Sequence, residues 1–197
     1  GDFVIKYSSD GISYIDGTET VWDESFEMKS PIVDICDDYI AVADKNTNDI
    51  FIYNKDGKVG HASTSYPIVK LEVASQGVVA ALLEDKNANY IEVYDKDGEK
   101  LISHKTLLRE NGYPLNFSIS EKGSKMVVSY VTVNGGVMKN KVLFYNFSSA
   151  GQNASDMMVG EFDQYGETLV PMVKFISDNV AIAVGENVLT VYSMRDK

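Results

Sequence analysis

The chain has too little of several residue types to build the sites those residues usually form. It has one cysteine, Cys36, so no internal disulfide can form. It has two histidines, His61 and His104, too few for a His-rich metal centre. Lys and Arg total 18 against 29 Asp and Glu, a net charge of −11. A surface this acidic repels a phosphate backbone, which argues against nucleic acid as a partner. The longest apolar run, Val78-Val79-Ala80-Ala81-Leu82-Leu83, falls far short of the ~20 residues that cross a bilayer. The start, Gly1-Asp2-Phe3-Val4, has no basic and then apolar character, so it does not read as a signal peptide. Gly1 in place of Met reads as the scar of a cleaved tag or of processing, with any anchor or targeting segment lying upstream. No glycine-rich phosphate loop, nucleotide fingerprint or Gly-x-Ser-x-Gly elbow occurs.

What is present is short alternation of period two. Phe3, Ile5 and Tyr7 alternate, as do Ile50 and Ile52, Ile91 and Val93, Phe117 and Ile119, and Val142 and Phe144. β-Branched and aromatic residues dominate these runs, which favours strands. Turn dipeptides such as Asp10-Gly11, Asp16-Gly17, Asp56-Gly57 and Asp97-Gly98 separate them. Leu101–Arg109 is the one helix-like stretch, and it lacks a sustained helical period. The chain reads as all-β and antiparallel.

An internal repeat is the strongest signal. The four prolines head equivalent phrases, Pro31-Ile-Val-Asp, Pro67-Ile-Val-Lys, Pro114-Leu-Asn-Phe and Pro171-Met-Val-Lys, spaced 36, 47 and 57 residues apart. Each phrase predicts a strand (A), a tight turn, an apolar strand (B), a polar turn, a strand ending near Tyr (C), and a polar fourth strand (D). Four-stranded meanders of this size are the blades of a β-propeller. The units fall at about residues 1–30, 31–66, 67–113, 114–170 and 171–197. Ile40, Val42, Val79, Val127 and Ile182 are the expected blade core. The first unit supplies about three strands, and the last supplies A, B and C. That is about eighteen strands where whole blades need sixteen or twenty. The chain therefore reads as four to five blades of an incomplete ring of seven or eight, with end blades available for self-association, the alternative being a compact five-bladed monomer with imperfect outer strands.

Gly17-Thr-Glu-Thr-Val-Trp22, nine residues before Pro31, resembles the quinoprotein-type propeller repeat. The whole chain, through phrases such as Asp38-Tyr-Ile-Ala-Val-Ala-Asp44 and Ile52-Tyr-Asn-Lys-Asp-Gly57, resembles a family of Gram-positive bacterial propellers of unknown function. That resemblance implies an N-terminal membrane anchor upstream, an extracytoplasmic propeller and further blades downstream. It implies no catalytic residues and no cofactor, since a quinone site commonly uses a vicinal Cys pair.

Candidate sites follow from the repeat. Asp44-Lys-Asn46-Thr-Asn48 superficially opens like a calcium loop. Asp49 and Lys55 stand where that loop needs Gly and Glu, so a B–C hairpin is the better reading. His61 and His104 fall on D strands and read as solvated rim residues. Cys36 reads as a small buried apolar residue. Turns on the A–B/C–D edge read as short, Ser9-Asp10-Gly11 among them. The D–A connections lengthen from Tyr53–Pro67 to Tyr94–Pro114 to Tyr145–Pro171, and Asn134–Lys141 reads as an expanded B–C loop. Grown loops on a rigid scaffold are where recognition concentrates. The candidate partner-binding residues on this edge are Tyr66, Tyr113, Tyr165, Arg109, Lys139 and Lys141. The expected function is a non-enzymatic extracytoplasmic binding or scaffold module for a protein or glycan. The alternatives are a glycan-active hydrolase or lyase with a central-channel site, and a structural piece of a cell-envelope assembly.

Overall fold

The computed structural model describes residues 3–194. They form eighteen antiparallel strands and one short 3₁₀ turn, arranged as five sheets. The first sheet is β1 (Phe3–Ser8), β2 (Gly11–Asp16) and β3 (Glu19–Ser25). The second is β4 (Pro31–Cys36), β5 (Tyr39–Asp44), β6 (Asp49–Asn54) and β7 (Gly57–Ser63). The third is β8 (Ile68–Val73), β9 (Val79–Glu84), β10 (Ala88–Tyr94) and β11 (Lys100–Leu107). The fourth is β12 (Tyr113–Ile119), β13 (Lys125–Asn134), β14 (Val137–Asn146) and β15 (Met158–Phe162). The last is β16 (Met172–Ser177), β17 (Val180–Val184) and β18 (Leu189–Ser193). Each sheet is a simple meander, and the three interior ones have the four strands expected of a blade. The stretch Leu101–Arg109 is strand and turn, as its lack of helical period implies.

The prolines sit where a missing N–H costs nothing. Pro31 begins β4, Pro67 and Pro171 immediately precede β8 and β16, and Pro114 is the second residue of β12. The second and third strands of each repeat carry the densest apolar runs, and Ile40, Val42, Val79 and Val127 are all 0% exposed. Ile182 departs from expectation and is half-buried. Its neighbours Ala181 and Ala183 point inward with Val173, Phe175 and Tyr192, so the strand turns its small residues to the core. Ile182 shares the other face with Lys174 and Val191, where Val191 is 62% exposed.

By contact density the chain forms two units. One gathers residues up to Glu84 together with Glu92–Ile102, and the other gathers Asp85–Ile91 together with the residues from Ser103 on. In the first unit, the first sheet packs on the second through Ile12, Tyr14, Ile40, Val42 and Tyr53. Trp22 stacks on Tyr53 at 5.3 Å, and its indole N–H donates to the Asn54 carbonyl at 3.0 Å. In the second unit, Val127, Val142 and Phe144 pack on Val173, Phe175 and Tyr192. Both units tie neighbouring sheets by the same device. The Asp34 carboxylate on β4 accepts the Val73 N–H at 2.8 Å, and the Ser118 hydroxyl on β12 accepts the Phe175 N–H at 3.1 Å.

Three loop expectations are corrected. Asn134–Lys141 is no loop: β13 and β14 run for ten residues each and join at Gly135-Gly136, whose φ values of 60° and 81° suit a tight hairpin turn. Alternating polar residues let these strands extend into solvent. Ser9-Asp10 joins β1 to β2, so within its sheet it lies at the end opposite the β2–β3 turn at Asp16-Gly17. The long insertion of the fourth sheet joins β14 to β15, a C–D connection. It holds Phe147–Met157, including Asp156 and Met157 at φ 54° and 60°. The edge expected to be uniformly short therefore carries the longest connection in that sheet. The Asp44–Asn48 segment is the β5–β6 hairpin. Asn46 is left-handed there at φ 66°, and the Asp44 carboxylate accepts the Lys29 and Ser30 N–H groups.

Candidate functional site

A groove in the second unit lies between β11 and β14–β15, with Asp156 of the long connection in its lining. Its wall on one side is the end of β11, with His104 and Leu107, followed by Glu110 and Asn111 of the next turn. The other side is Lys141, Leu143 and Tyr145 of β14, with Asp156 of the connection and Met158 and Glu161 of β15. The cavity measures about 380 Å³, within the range of small-molecule and side-chain pockets. The turn at its mouth is pinned locally: Asn111 Oδ1 accepts the Leu107 N–H at 3.0 Å, and the Asn111 N–H donates to the Leu107 carbonyl at 2.9 Å.

His104 is the central correction among the candidate residues. It is half-buried rather than solvated, with its ring 4.7 Å from that of Tyr145. Its Nε2 is buried with no hydrogen-bond partner among the described residues. Burial pulls its pKa below the ordinary histidine value, and the Asp156 carboxylate opposes this only in part. The imidazole is therefore neutral near pH 7. Burial likewise raises the Tyr145 phenol above its usual range and pushes Tyr130 up to about 12. On the opposite wall Lys141 pairs with Glu161 at 3.3 Å, while the Lys105 ammonium lies over the Tyr90 ring at 5.6 Å. The groove thus combines aliphatic surface from Leu107, Leu143 and Met158 with an aromatic wall and three carboxylates. That mixture can hold an elongated polar ligand and orient it.

The other candidate residues are dispersed. Lys141 lines the groove, and Arg109 is exposed on the turn that carries Glu110 and Asn111. Lys139 is exposed two residues further out on β14, beside the hairpin. Tyr113 opens β12 and is 38% exposed, whereas Tyr66 is half-buried in the β7–β8 connection. Tyr165 is corrected: it is 6% exposed, its ring belongs to the core cluster, and its hydroxyl bonds that of Tyr192. Burial leaves it no surface to offer a partner. His61 is exposed and bonds Asp49 at 2.9 Å, with its ring stacked on Phe51. Cys36 is half-buried.

Two buried polar networks escaped the sequence reading. Glu92 is 1% exposed. Its carboxylate accepts from Lys100 at 2.7 Å, from the Ser65 hydroxyl at 2.8 Å and from the Tyr94 hydroxyl at 2.5 Å. Desolvation pushes its pKa up, but these donors outweigh it and hold the carboxyl below its ordinary value. Asn140 bonds Ser129 of β13 and Val170 of the segment before β16. Both networks are saturated with partners, which marks them as structural.

Comparison with known proteins places the fold. No curated protein matches the chain. The crystal structure of Hsv2 from Kluyvelomyces marxianus superposes with a TM-score of 0.68 at 14% identity, covering 97% of this chain and 64% of that one. BBS1N, solved in complex with ARL6DN, gives 0.62 at 14% identity, covering 98% of this chain and 60% of that one. A functionally unknown protein from Desulfotomaculum acetoxidans DSM 771 gives 0.58 at 12% identity, covering 97% and 61%. The chain thus spans less than two thirds of each of these proteins. At such identities the likeness shows the fold alone, which is all-β and of the β-propeller type. Over residues 1–197 the sequence matches one family profile, and the chain belongs to that family, the family of unknown function DUF5711.

Proposed function

We propose that this chain is a non-enzymatic binding and scaffold module that engages a protein or glycan partner through the groove between β11 and β14–β15. The observation that carries the reading is the groove itself. It is a 380 Å³ cleft whose lining includes the Lys141–Glu161 ion pair, Glu110 and Asn111 of the β11–β12 turn, and Asp156 of the β14–β15 connection. Rigid strands present these groups, and the Arg109 turn borders them. The sheet arrangement suits this role, because a stack of meanders holds its loops in fixed register. The extracytoplasmic setting and an upstream membrane anchor belong to the same proposal. They rest on the sequence resemblance to membrane-anchored Gram-positive propellers, as does the quinoprotein-like character of the repeat.

A displayed peptide library and a panel of cell-wall glycans supply the test. A ligand selected on the wild-type protein should lose at least tenfold in affinity on Met158→Trp, which fills the groove. It should keep its affinity on Asp56→Ala, in the β6–β7 turn. The Tyr66→Ala/Tyr113→Ala double variant should weaken ligands that extend over those side chains while the fold stays intact. Ligands indifferent to Met158→Trp would remove the groove from the account. A second reading is favoured by Glu110, Asp156 and Glu161 lining one cleft: a glycan-active hydrolase or lyase. It requires turnover of a glycan from the panel that Glu161→Gln abolishes.

A further inference from the structure

Two Asn-Gly steps occur in the chain, Asn111-Gly112 and Asn134-Gly135. Glycine has no side chain to shield its main-chain nitrogen. After asparagine, that nitrogen can reach the asparagine's own amide carbon and close a five-membered imide. In a folded protein the step depends on the freedom of the asparagine side chain and of the main chain beside it. Both steps lie in the second unit, and their surroundings differ on both counts.

Asn111 is held. Its Oδ1 accepts the Leu107 N–H at 3.0 Å, and its main-chain N–H donates to the Leu107 carbonyl at 2.9 Å. Gly112 packs against β13, where an added Cβ would lie 2.5 Å from the Val131 carbonyl oxygen and 2.7 Å from Thr132 Cγ2. The main chain there has no room to swing. Asn134 is the opposite case. It ends β13 at the tip of the long hairpin. In the ladder, β12 pairs with β13 no further than Val131, and β15 pairs with β14 no further than Val142. Thr132–Asn134 and Val137–Lys139 therefore form a two-stranded ribbon, and such a ribbon opens readily at its end. Asn134, Gly135 and Gly136 are all exposed, and nothing lies within 4 Å of a Cβ added at either glycine. Among the described residues no hydrogen bond holds the Asn134 side chain.

We propose that Asn134-Gly135 is a self-modification site, at which the chain deamidates with water as its only co-reactant. The Gly135 nitrogen attacks Asn134 Cγ. A new C–N bond forms, the bond to the side-chain nitrogen breaks, and ammonia leaves with the proton of the Gly135 N–H. Water then opens the imide at one of its two carbonyls. One opening gives an aspartyl residue. The other gives an isoaspartyl residue, whose main chain is one methylene longer. No oxidant or reductant takes part. Both products place a carboxylate where the amide stood. Asn134 lies opposite Val137, and Lys139 follows two residues on along the same face. The new charge is thus a diagonal neighbour of the Lys139 ammonium. The longer isoaspartyl main chain also breaks the pairing register at the tip.

Ageing the folded protein in buffer, followed by peptide mapping with mass spectrometry, tests the site. Asn134 should convert at least tenfold faster than Asn111. In urea, where neither side chain is held, the two should convert at similar rates. Conversion at Asn134 should rise at least fivefold from pH 6 to pH 8, because the glycine nitrogen must lose its proton. Asn134→Gln, whose longer side chain closes a six-membered ring slowly, should suppress the step at least tenfold and leaves the φ of 60° at Gly135 to a glycine. In aged protein the isoaspartyl fraction should show faster amide exchange over Thr132–Lys139 than the fresh chain. Equal rates at Asn134 and Asn111 in the folded protein, or an Asn134 still intact when Asn111 has converted, would overturn the proposal.

Discussion

Asn140→Ala is the substitution whose cost can be worked out most fully. Asn140 is 2% exposed, on β14. Its Oδ1 accepts the Val170 N–H at 2.8 Å, and its Nδ2 donates to Ser129 Oγ at 2.9 Å. Ser129 in turn donates to the Val170 carbonyl at 2.7 Å, and all three residues are buried. The triangle clips the segment before β16 onto the fourth sheet. Alanine leaves the Val170 N–H unpaired in a dry site, which costs about 1–3 kcal/mol. The small void left by the amide adds to that. We expect a total loss of about 2–4 kcal/mol. Asn140→Asp should cost more at neutral pH. Its carboxylate can accept from Val170, but the Ser129 hydrogen is already committed, so a buried charge lacks donors. Urea titration followed by Trp22 fluorescence and by circular dichroism reads the midpoint shift at constant slope. In the Ser129→Ala/Asn140→Ala double variant the losses should not add, since both act on one network. A loss under about 0.5 kcal/mol for both single Asn140 variants, the range of an ordinary surface substitution, would refute the reasoning.

Three further outcomes follow from the packing and the charges. Ile40→Ala, at a fully buried position, should cost about 2–5 kcal/mol, whereas Ile182→Ala, half-buried, should cost clearly less; equal losses in chemical denaturation would contradict the assigned faces. Lys100→Met removes the ammonium from the buried Glu92 carboxylate. It should raise the Glu92 pKa and destabilise the chain at neutral pH, and this loss should be smaller at low pH, where the carboxyl is protonated; carbonyl-labelled NMR titration and melts check both. For His104 the folded pKa lies below the unfolded value of ~6.5. Its contribution is therefore full above that value and is lost as pH falls from ~6.5 toward the folded pKa. His104→Asn should flatten this part of the stability–pH curve relative to wild type, and an unchanged slope would count against the buried neutral imidazole.

The strand count and the blade repeat were legible in the sequence because they rest on local chemistry. The proline phase, the Asp-Gly turns and the period-two apolar runs each act within a few residues. The edges of the sheets were less legible. Asn134–Lys141 was expected to be a loop because it is polar and holds two glycines. A hairpin projecting into solvent has the same composition, and only pairing distinguishes them. The long insertion was assigned to the connection before β16 because nothing in Phe147–Met157 marks where β15 begins. That misplacement hid the groove, since His104 becomes a wall only when the β14–β15 connection folds beside it. Tyr165 read as a loop aromatic for the same reason, although its segment tucks into the core. Glu92 carried a faint signal, a carboxylate inside Ile91-Glu92-Val93-Tyr94. Its partners Ser65 and Lys100 are 27 and 8 residues away in sequence, beyond any local pattern.

The central claim is that a partner is held in the groove between β11 and β14–β15. Hydrogen–deuterium exchange with and without a ligand from the selected panel tests it most directly. The account predicts slowed exchange at Leu107–Asn111 and Met158–Phe162, with the turns at Lys55–Gly57 and Asp95–Gly98 unchanged. Protection confined to those two turns, with the groove segments exchanging as in the free protein, would contradict it.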